Sequence, residues 1–288
     1  PKKSRSFEFR HFINPERYKP FLKVDRMNKS VSLILFALTI SICNGQTADD
    51  LNKQARDFLT KGDTKNAYPL LKEAAELNQP EAQYNYGFFF QQGIEVEKND
   101  SIANFWLLKS ANQGWLDAQF KIAYSYAVGR GCTKDMTQAF YWSVQCGQQN
   151  DPECMNNVIS CYNDGTGTNK NLDSALAWTI RLASLPDLEN LQLSGIITGA
   201  RKSLAIRYRD GNYVAKDKIK SYMWFLIYNE SKRDFAIFEQ RSNIDSIKEL
   251  ENNLSQSERD KAKQDAEKQI GRKLKQLDNL YKDSLEIE

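Results

Sequence analysis

The chain has 288 residues, with 40 Lys and Arg against 37 Asp and Glu, one histidine and 41% hydrophobic residues. A mean hydropathy of -0.64, with only seven prolines and 14 glycines, excludes a polytopic membrane protein, a collagen-like chain and a Pro/Gly-rich disordered chain. Because general bases and most transition-metal sites use imidazole, the single histidine, His11, argues against both kinds of site.

Residues 27–45 have the layout of a secretory signal peptide. Lys29 follows Met27, an apolar run covers 31–43, and small and polar residues come next. The run of about 13 residues is shorter than the roughly 20 that span a bilayer as a helix. We therefore expect cleavage after Gly45 and no stable membrane span afterwards. Residues 1–26 are interpreted as a non-native or mis-called extension, with a long cytoplasmic n-region as the alternative.

The sign of the net charge depends on whether residues 1–45 are counted. Residues 46–288 hold 31 Lys and Arg against 34 Asp and Glu, so the basic excess belongs to residues 1–45. Nucleic-acid binding draws most of its affinity from basic side chains on phosphates. We therefore expect no nucleic-acid partner.

The first predicted element after the leader is a helical hairpin at 46–80. Its turn is at Gly62 and Asp63, and its second helix presents Ala67, Leu70 and Ala74 on one face.

Four repeats with a common register follow this hairpin. They are predicted at 81–116, 117–152, 153–198 and 199–230, and the third carries an insertion of about ten residues. The shared positions are a glycine (Gly93, Gly129, Gly165, Gly211), an Asn or Asp (Asn99, Asp135, Asn171, Asp217) and a tryptophan (Trp106, Trp142, Trp178, Trp224).

Each shared position has a physical role in a pair of helices. The glycine can take the left-handed conformation that ends the first helix. The Asn or Asp can cap the second helix by accepting its free amide hydrogens. A small residue three positions before the tryptophan lets the two helices approach closely. The register therefore predicts an all-α chain of helix-turn-helix units that stack as a solenoid.

Three segments carry a resemblance to a known family: AQYNYGFFFQQG at 82–93, AQFKIAYSYAVGRG at 118–131 and KDMTQAFYWSVQCGQQ at 134–149. They resemble the Sel1-like repeat (SLR) family, a class of tetratricopeptide-like α/α repeats. The resemblance covers roughly residues 50–230. It implies a right-handed α/α solenoid that serves as a scaffold for protein–protein interaction through its concave face.

After Trp224 the register stops, and helices are predicted around 232–253 and 256–281. The second begins with the capping-box pair Ser255 and Glu258. Its apolar stripe consists of Ala262, Ala266, Ile270, Leu274 and Leu277. We interpret 231–288 as a C-terminal cap that hides the last apolar face, with a coiled-coil partner helix as the alternative.

Four cysteines remain once Cys43 leaves with the signal peptide. An even count in an exported chain suggests disulfides, buried free thiols are the alternative, and the spacing does not support a zinc site. The chain is similar here to the cysteine-rich bacterial branch of the SLR family, which implies that Cys146 pairs with Cys154. An accompanying pair would join Cys132 to Cys161.

Catalysis is not expected. The sequence has no Ser-x-x-Lys element, no Walker-type phosphate loop and no histidine after residue 45. We therefore expect neither an enzyme nor a cofactor or metal.

The candidate partner-binding residues are four aromatics in the first helices of two repeats. Tyr84 and Phe88 are four apart, as are Phe120 and Tyr124, so each pair shares a helical face. They are predicted as anchors on the concave face, and ordinary packing positions are the alternative for Tyr84 and Phe120. The sequence favours a periplasmic or secreted scaffold of the bacterial envelope that binds another protein. The alternative is an envelope protein that binds cell-wall or β-lactam/peptidoglycan fragments.

Overall fold

The computed structural model describes residues 46–230 and 237–282. The predicted leader at 1–45, with His11 and Cys43, lies outside the described residues, as do 231–236 and 283–288. Within the described ranges the chain is all-α and contains twelve α-helices. None of these helices combines the length and apolarity needed to cross a membrane.

The chain divides into two compact units, one ending at Trp115 and the other beginning at Leu116. In the first unit each helix packs on the next one along the chain. Its helices are α1 (Ala48–Thr60), α2 (Thr64–Glu76), α3 (Pro80–Gln92) and α4 (Asp100–Asn112).

The second unit repeats the same arrangement through six helices and then adds two more. Its helices are α5 (Leu116–Val128), α6 (Met136–Gln148), α7 (Pro152–Asp164), α8 (Leu172–Ala183), α9 (Leu191–Asp210), α10 (Lys218–Asn229), α11 (Ile237–Asn252) and α12 (Gln256–Ile270). The consecutive pairs α5–α6, α7–α8 and α9–α10 are the repeats predicted from the register.

Local capping explains why the second helix of each repeat begins where it does. The side chain of Asn99 accepts hydrogen bonds from the backbone N–H groups of Ser101 and Ile102 at the start of α4. The equivalent residues Asp135, Asn171 and Asp217 cap α6, α8 and α10 in the same way. The repeat glycines that precede these caps have φ between +71° and +77°, the left-handed conformation. The turn chemistry predicted from the sequence is therefore present in all four repeats.

The repeat tryptophans differ in burial. Trp142 and Trp224 are buried, whereas Trp106 and Trp178 are partly buried against the cores. A ring carbon of Trp178 on α8 lies 3.3 Å from the position that a Cβ at Gly147 on α6 would occupy. The tryptophan of one repeat thus packs where the preceding repeat has a small residue.

The largest core of the second unit surrounds α10. The run Tyr222–Tyr228 is buried throughout, and α11 and α12 both pack against this helix. Ala262 and Ala266 of α12 have no exposed surface, and the Tyr222 hydroxyl donates a hydrogen bond to Glu251 of α11. The described C-terminal helices therefore cover the apolar surface of the last repeat.

The C-terminal helix is shorter than predicted. It ends at Ile270 rather than 281, because Gly271 takes the left-handed conformation with φ +69°. The carboxylate of Glu230 accepts hydrogen bonds from the backbone N–H groups of Lys275 and Gln276. In a continuing helix these groups would donate to carbonyl oxygens of the preceding turn. From residue 271 to residue 282, where the description ends, the one helical segment is the 3-10 turn Leu277–Asn279.

The insertion before Gly199 is largely helical. It lengthens α9 to 20 residues, from Leu191 to Asp210, whereas the other first helices of the repeats have 13. Asn190 caps the extended helix by accepting from the backbone of Gln192 and Leu193.

Substitution by alanine should have opposite effects on stability at two glycines, Gly195 and Gly167. Gly195 lies inside α9 with open space where a Cβ would stand, so Gly195→Ala should stabilise the protein by roughly 0.5–1 kcal/mol. Gly167 has φ +71°, and a Cβ there would lie 2.0 Å from the carbonyl oxygen of Met136. Gly167→Ala should therefore destabilise it. Urea denaturation followed by circular dichroism measures both changes in the free energy of unfolding. If both variants were stabilised, or both destabilised, the backbone described here would be contradicted.

Candidate functional site

The four predicted anchor residues have very different exposures. Tyr84 and Phe88 on α3 are buried, with 7% and 9% of their surfaces exposed. The expectation of an exposed Phe88 is therefore not met: α3 lies between α2 and α4, and most of its residues are buried. Phe120 on α5 is partly buried. Tyr124 is 47% exposed, so it alone of the four has the accessibility that an aromatic anchor needs.

Tyr124 belongs to a stripe along α5. Lys121, Tyr124 and Val128 are three and four residues apart, so they share one face of the helix. Val128 is 50% exposed. The Arg130 guanidinium lies 5.2 Å from the centre of the Tyr124 ring, a cation–π contact. We call Lys121, Tyr124, Val128 and Arg130 the α5 stripe.

The α5 stripe combines apolar surface with positive charge. Burial lowers the pKa of Lys121, an effect that the neighbouring Arg130 increases and Asp117 opposes. Two cationic side chains thus flank an exposed tyrosine and an exposed valine on one helix. This combination can accept an apolar side chain next to a carboxylate.

A disulfide packs against the first turns of α5. Cys146 near the end of α6 and Cys154 near the start of α7 are bonded, with Cα atoms 5.7 Å apart and no exposed surface. Leu116 and the partly buried Phe120 pack against this bridge. The pairing implied by the family resemblance is confirmed, and it joins α6 of one repeat to α7 of the next.

The accompanying pair between Cys132 and Cys161 is wrong, because both cysteines are free. The Cys132 sulfur donates a weak hydrogen bond to the Ser125 carbonyl oxygen, 3.6 Å away, and so faces back toward α5. Burial raises the pKa of both free thiols. A raised pKa reduces the thiolate fraction, which is the opposite of what a catalytic cysteine needs.

One group of potential metal ligands occurs in the described part of the chain. Ligand atoms of Cys146, Asp151 and Cys154 lie within 4.8 Å of one another. Zinc binds cysteine as thiolate, whereas here both sulfurs are used in the disulfide. Asp151 accepts the Cys154 backbone N–H at 3.0 Å as the cap of α7. The geometry is that of a helix cap beside a disulfide.

Sequence reasoning missed three members of the α5 stripe, Lys121, Val128 and Arg130. Val128 is exposed although it is apolar, and Arg130 follows the end of the helix, where the register contains no functional position. The spacing of Tyr124 and Val128, four residues apart, was the signal that could have identified the apolar part of the stripe.

Comparison with known proteins agrees with the helix pairs. The Sel1 repeat family model matches residues 80–115, 116–145, 152–187 and 200–227. A solved Sel1 repeat protein from Oxalobacter formigenes has a TM-score of 0.53 at 23% identity, with 80% of this chain and 93% of that chain covered. A second solved structure is c5321, a protective antigen present in uropathogenic Escherichia coli strains displaying an SLR fold. It has a TM-score of 0.40 at 19% identity, with 84% of this chain and 56% of that chain covered. No curated protein matches the chain significantly.

Proposed function

This chain is a Sel1 repeat protein, and we propose that it is an exported scaffold that binds another protein through the α5 stripe. Repeats of this kind typically mediate protein–protein interaction, and no enzyme family is indicated. In stacked α/α repeats the first helices of the pairs line the extended binding surface. α5 is the first helix of its pair.

The observation that carries the proposal is the exposed Tyr124 with its cationic neighbours. Tyrosine and arginine are enriched among residues that dominate binding energy, since they offer both apolar area and a polar end. The contact with Arg130 restricts the ring, which reduces the entropy that binding must offset. A partner segment with an apolar side chain beside an acidic group would complement the stripe.

Export is supported by the disulfide. Disulfides form and persist in oxidising compartments such as the bacterial periplasm, and are rare where thiols are kept reduced. Cys146 and Cys154 are bonded and buried. We therefore assign the scaffold to the bacterial envelope or the medium.

The test is affinity capture by the full chain from its own cell envelope. Tyr124→Ala should reduce recovery of the enriched partner by at least about tenfold, as expected when a central aromatic anchor is removed. The matched control is Tyr141→Ala on α6, because Tyr141 is 49% exposed but lies on the second helix of the same repeat. Tyr141→Ala should recover as much of the partner as the unmodified protein does.

Two outcomes would contradict the proposal. One is equal loss in both variants, which would point to exposed tyrosines in general. The other is covalent labelling by a fluorescent penicillin, which would indicate a β-lactam-reactive envelope protein instead of a scaffold. Circular dichroism of each variant confirms that a lost partner does not reflect a lost fold.

A further inference from the structure

Three arginines on α9 differ in the hydrogen-bond partners of their guanidinium groups. Arg201 donates to the carbonyl oxygens of Ala183 and Leu185 and to the carboxylate of Asp187. Arg209 donates to Asp210 and Ser246. By contrast, Nη1 of Arg207 is fully buried and has no hydrogen-bond partner among the described residues.

Arg207 lines a partly open cavity of about 260 Å³ between α7, α8 and α9. The other lining residues are Asn156, Ile159, Thr179, Leu182, Ile196, Gly199, Ala200 and Ser203. None of these nine residues is acidic, so the Arg207 charge faces no carboxylate on the cavity wall. The volume suits a small organic group rather than a drug-sized molecule.

The repeat sequence explains why a cavity is present here. Asn156 occupies the register position of Tyr84 in the first repeat, 72 residues earlier, so a smaller polar side chain replaces an aromatic ring. Gly199 contributes no side chain, and a Cβ built there meets no atom within 4 Å. These substitutions leave space that aromatic or branched residues would otherwise fill.

The polar groups of the cavity are suited to an anion. Ser203 and Arg207 are four residues apart on α9 and therefore share a face. Neither Ser203 nor Asn156 makes a side-chain hydrogen bond within the described part of the chain that would occupy its donors. Thr179 differs, because its hydroxyl already donates to the Ala175 carbonyl oxygen at 2.7 Å.

We propose that this cavity binds a carboxylate group carried by a small apolar moiety, with Arg207 as its cationic ligand. Arg207 is the one charged residue of the cavity wall and meets no carboxylate there, so a bound carboxylate would be its ion-pair partner. Ile159, Leu182 and Ile196 provide apolar walls for the rest of the ligand. A free small acid and a peptide C-terminus share this chemistry. The site lies on helices other than α5 and does not depend on the α5 stripe.

Isothermal titration calorimetry on the full chain tests the proposal with N-acetyl-leucine and its neutral analogue N-acetyl-leucinamide. The acid should bind roughly ten- to a hundredfold more tightly, the ratio expected for hydrogen bonds to a charged acceptor. A short neutral peptide ending in leucine, with a free or an amidated C-terminus, forms the second arm. Binding by the free peptide alone would assign the site to peptide C-termini. Binding by both the free peptide and N-acetyl-leucine would assign the site to small carboxylates in general.

Variants separate a ligand-binding role from a structural one. Arg207→Met should abolish the preference for the acid while leaving the thermal midpoint unchanged or higher, because it removes an unsatisfied buried donor. Arg209→Gln, on the same helix but outside the cavity, should retain the preference. Gly199→Leu should block binding by filling the space.

Three results would overturn the assignment. They are equal affinity for acid and amide, no binding of either the acid or the free peptide at millimolar concentration, and a large fall in the thermal midpoint of Arg207→Met with acid binding retained.

Discussion

Replacing Trp224 with alanine should lower the free energy of unfolding by about 3–5 kcal/mol, the range typical of large aromatic truncations in a core. Trp224 is 2% exposed and lies on α10 in the largest core of the second unit. Both C-terminal helices pack on α10, so relaxation of the chain cannot readily fill the space that the indole leaves.

The matched control is Trp178→Ala. Trp178 occupies the same register position one repeat earlier but is only partly buried, and the Arg181 guanidinium covers its ring at 5.0 Å. Its truncation removes less buried area and should have a smaller effect. Urea denaturation followed by tryptophan fluorescence and circular dichroism measures both variants. A loss for Trp224→Ala no greater than that for Trp178→Ala would contradict the described core.

Breaking the Cys146–Cys154 disulfide should destabilise the protein by roughly 2–3 kcal/mol. The bridge joins residues eight apart in sequence, and the chain-entropy model gives that magnitude for a short closed loop. The bridge also supports Leu116 and Phe120 at the base of α5. A Cys146→Ala/Cys154→Ala double variant and chemical reduction of the unmodified protein should give similar shifts in the denaturation midpoint.

The two free cysteines serve as the control for this prediction. Cys132→Ser/Cys161→Ser should leave the response to reductant intact. Peptide mapping distinguishes the pairings, because trypsin releases residues 135–170 as one peptide that contains Cys146, Cys154 and Cys161. That peptide should take up one alkyl group before reduction and three afterwards. A link between residues 131–134 and 135–170 would show instead that Cys132 is bonded to Cys161.

The parts of the fold that depend on local chemistry could be predicted from the sequence. The caps at Asn99, Asp135, Asn171 and Asp217 require only a short polar side chain and the next turn of helix. The end of α12 was not predicted, because Gly271 and the distant carboxylate of Glu230 together stop that helix. A contact 45 residues away in sequence leaves no periodic signal.

The candidate site was less accessible to sequence reasoning for a similar reason. Tyr84 and Tyr124 both lie in the first helix of a repeat, but exposure depends on which surfaces neighbouring helices cover. The cavity at Arg207 lies between three helices, and the space in it comes from Asn156 on α7 and Gly199 on the lengthened α9. A single sequence indicates the insertion but not the position of Arg207 on the cavity wall.

The most direct measurement of the central claim is photocrosslinking from the α5 stripe in living cells. A benzoylphenylalanine at position 124 replaces one exposed aromatic residue with another, and the same residue at position 141 is the control with equivalent exposure. If the chain is a scaffold that binds through α5, position 124 should give an adduct with one partner protein and position 141 should not. Equal adducts from both positions, or none from 124 in a correctly folded protein, would contradict this account.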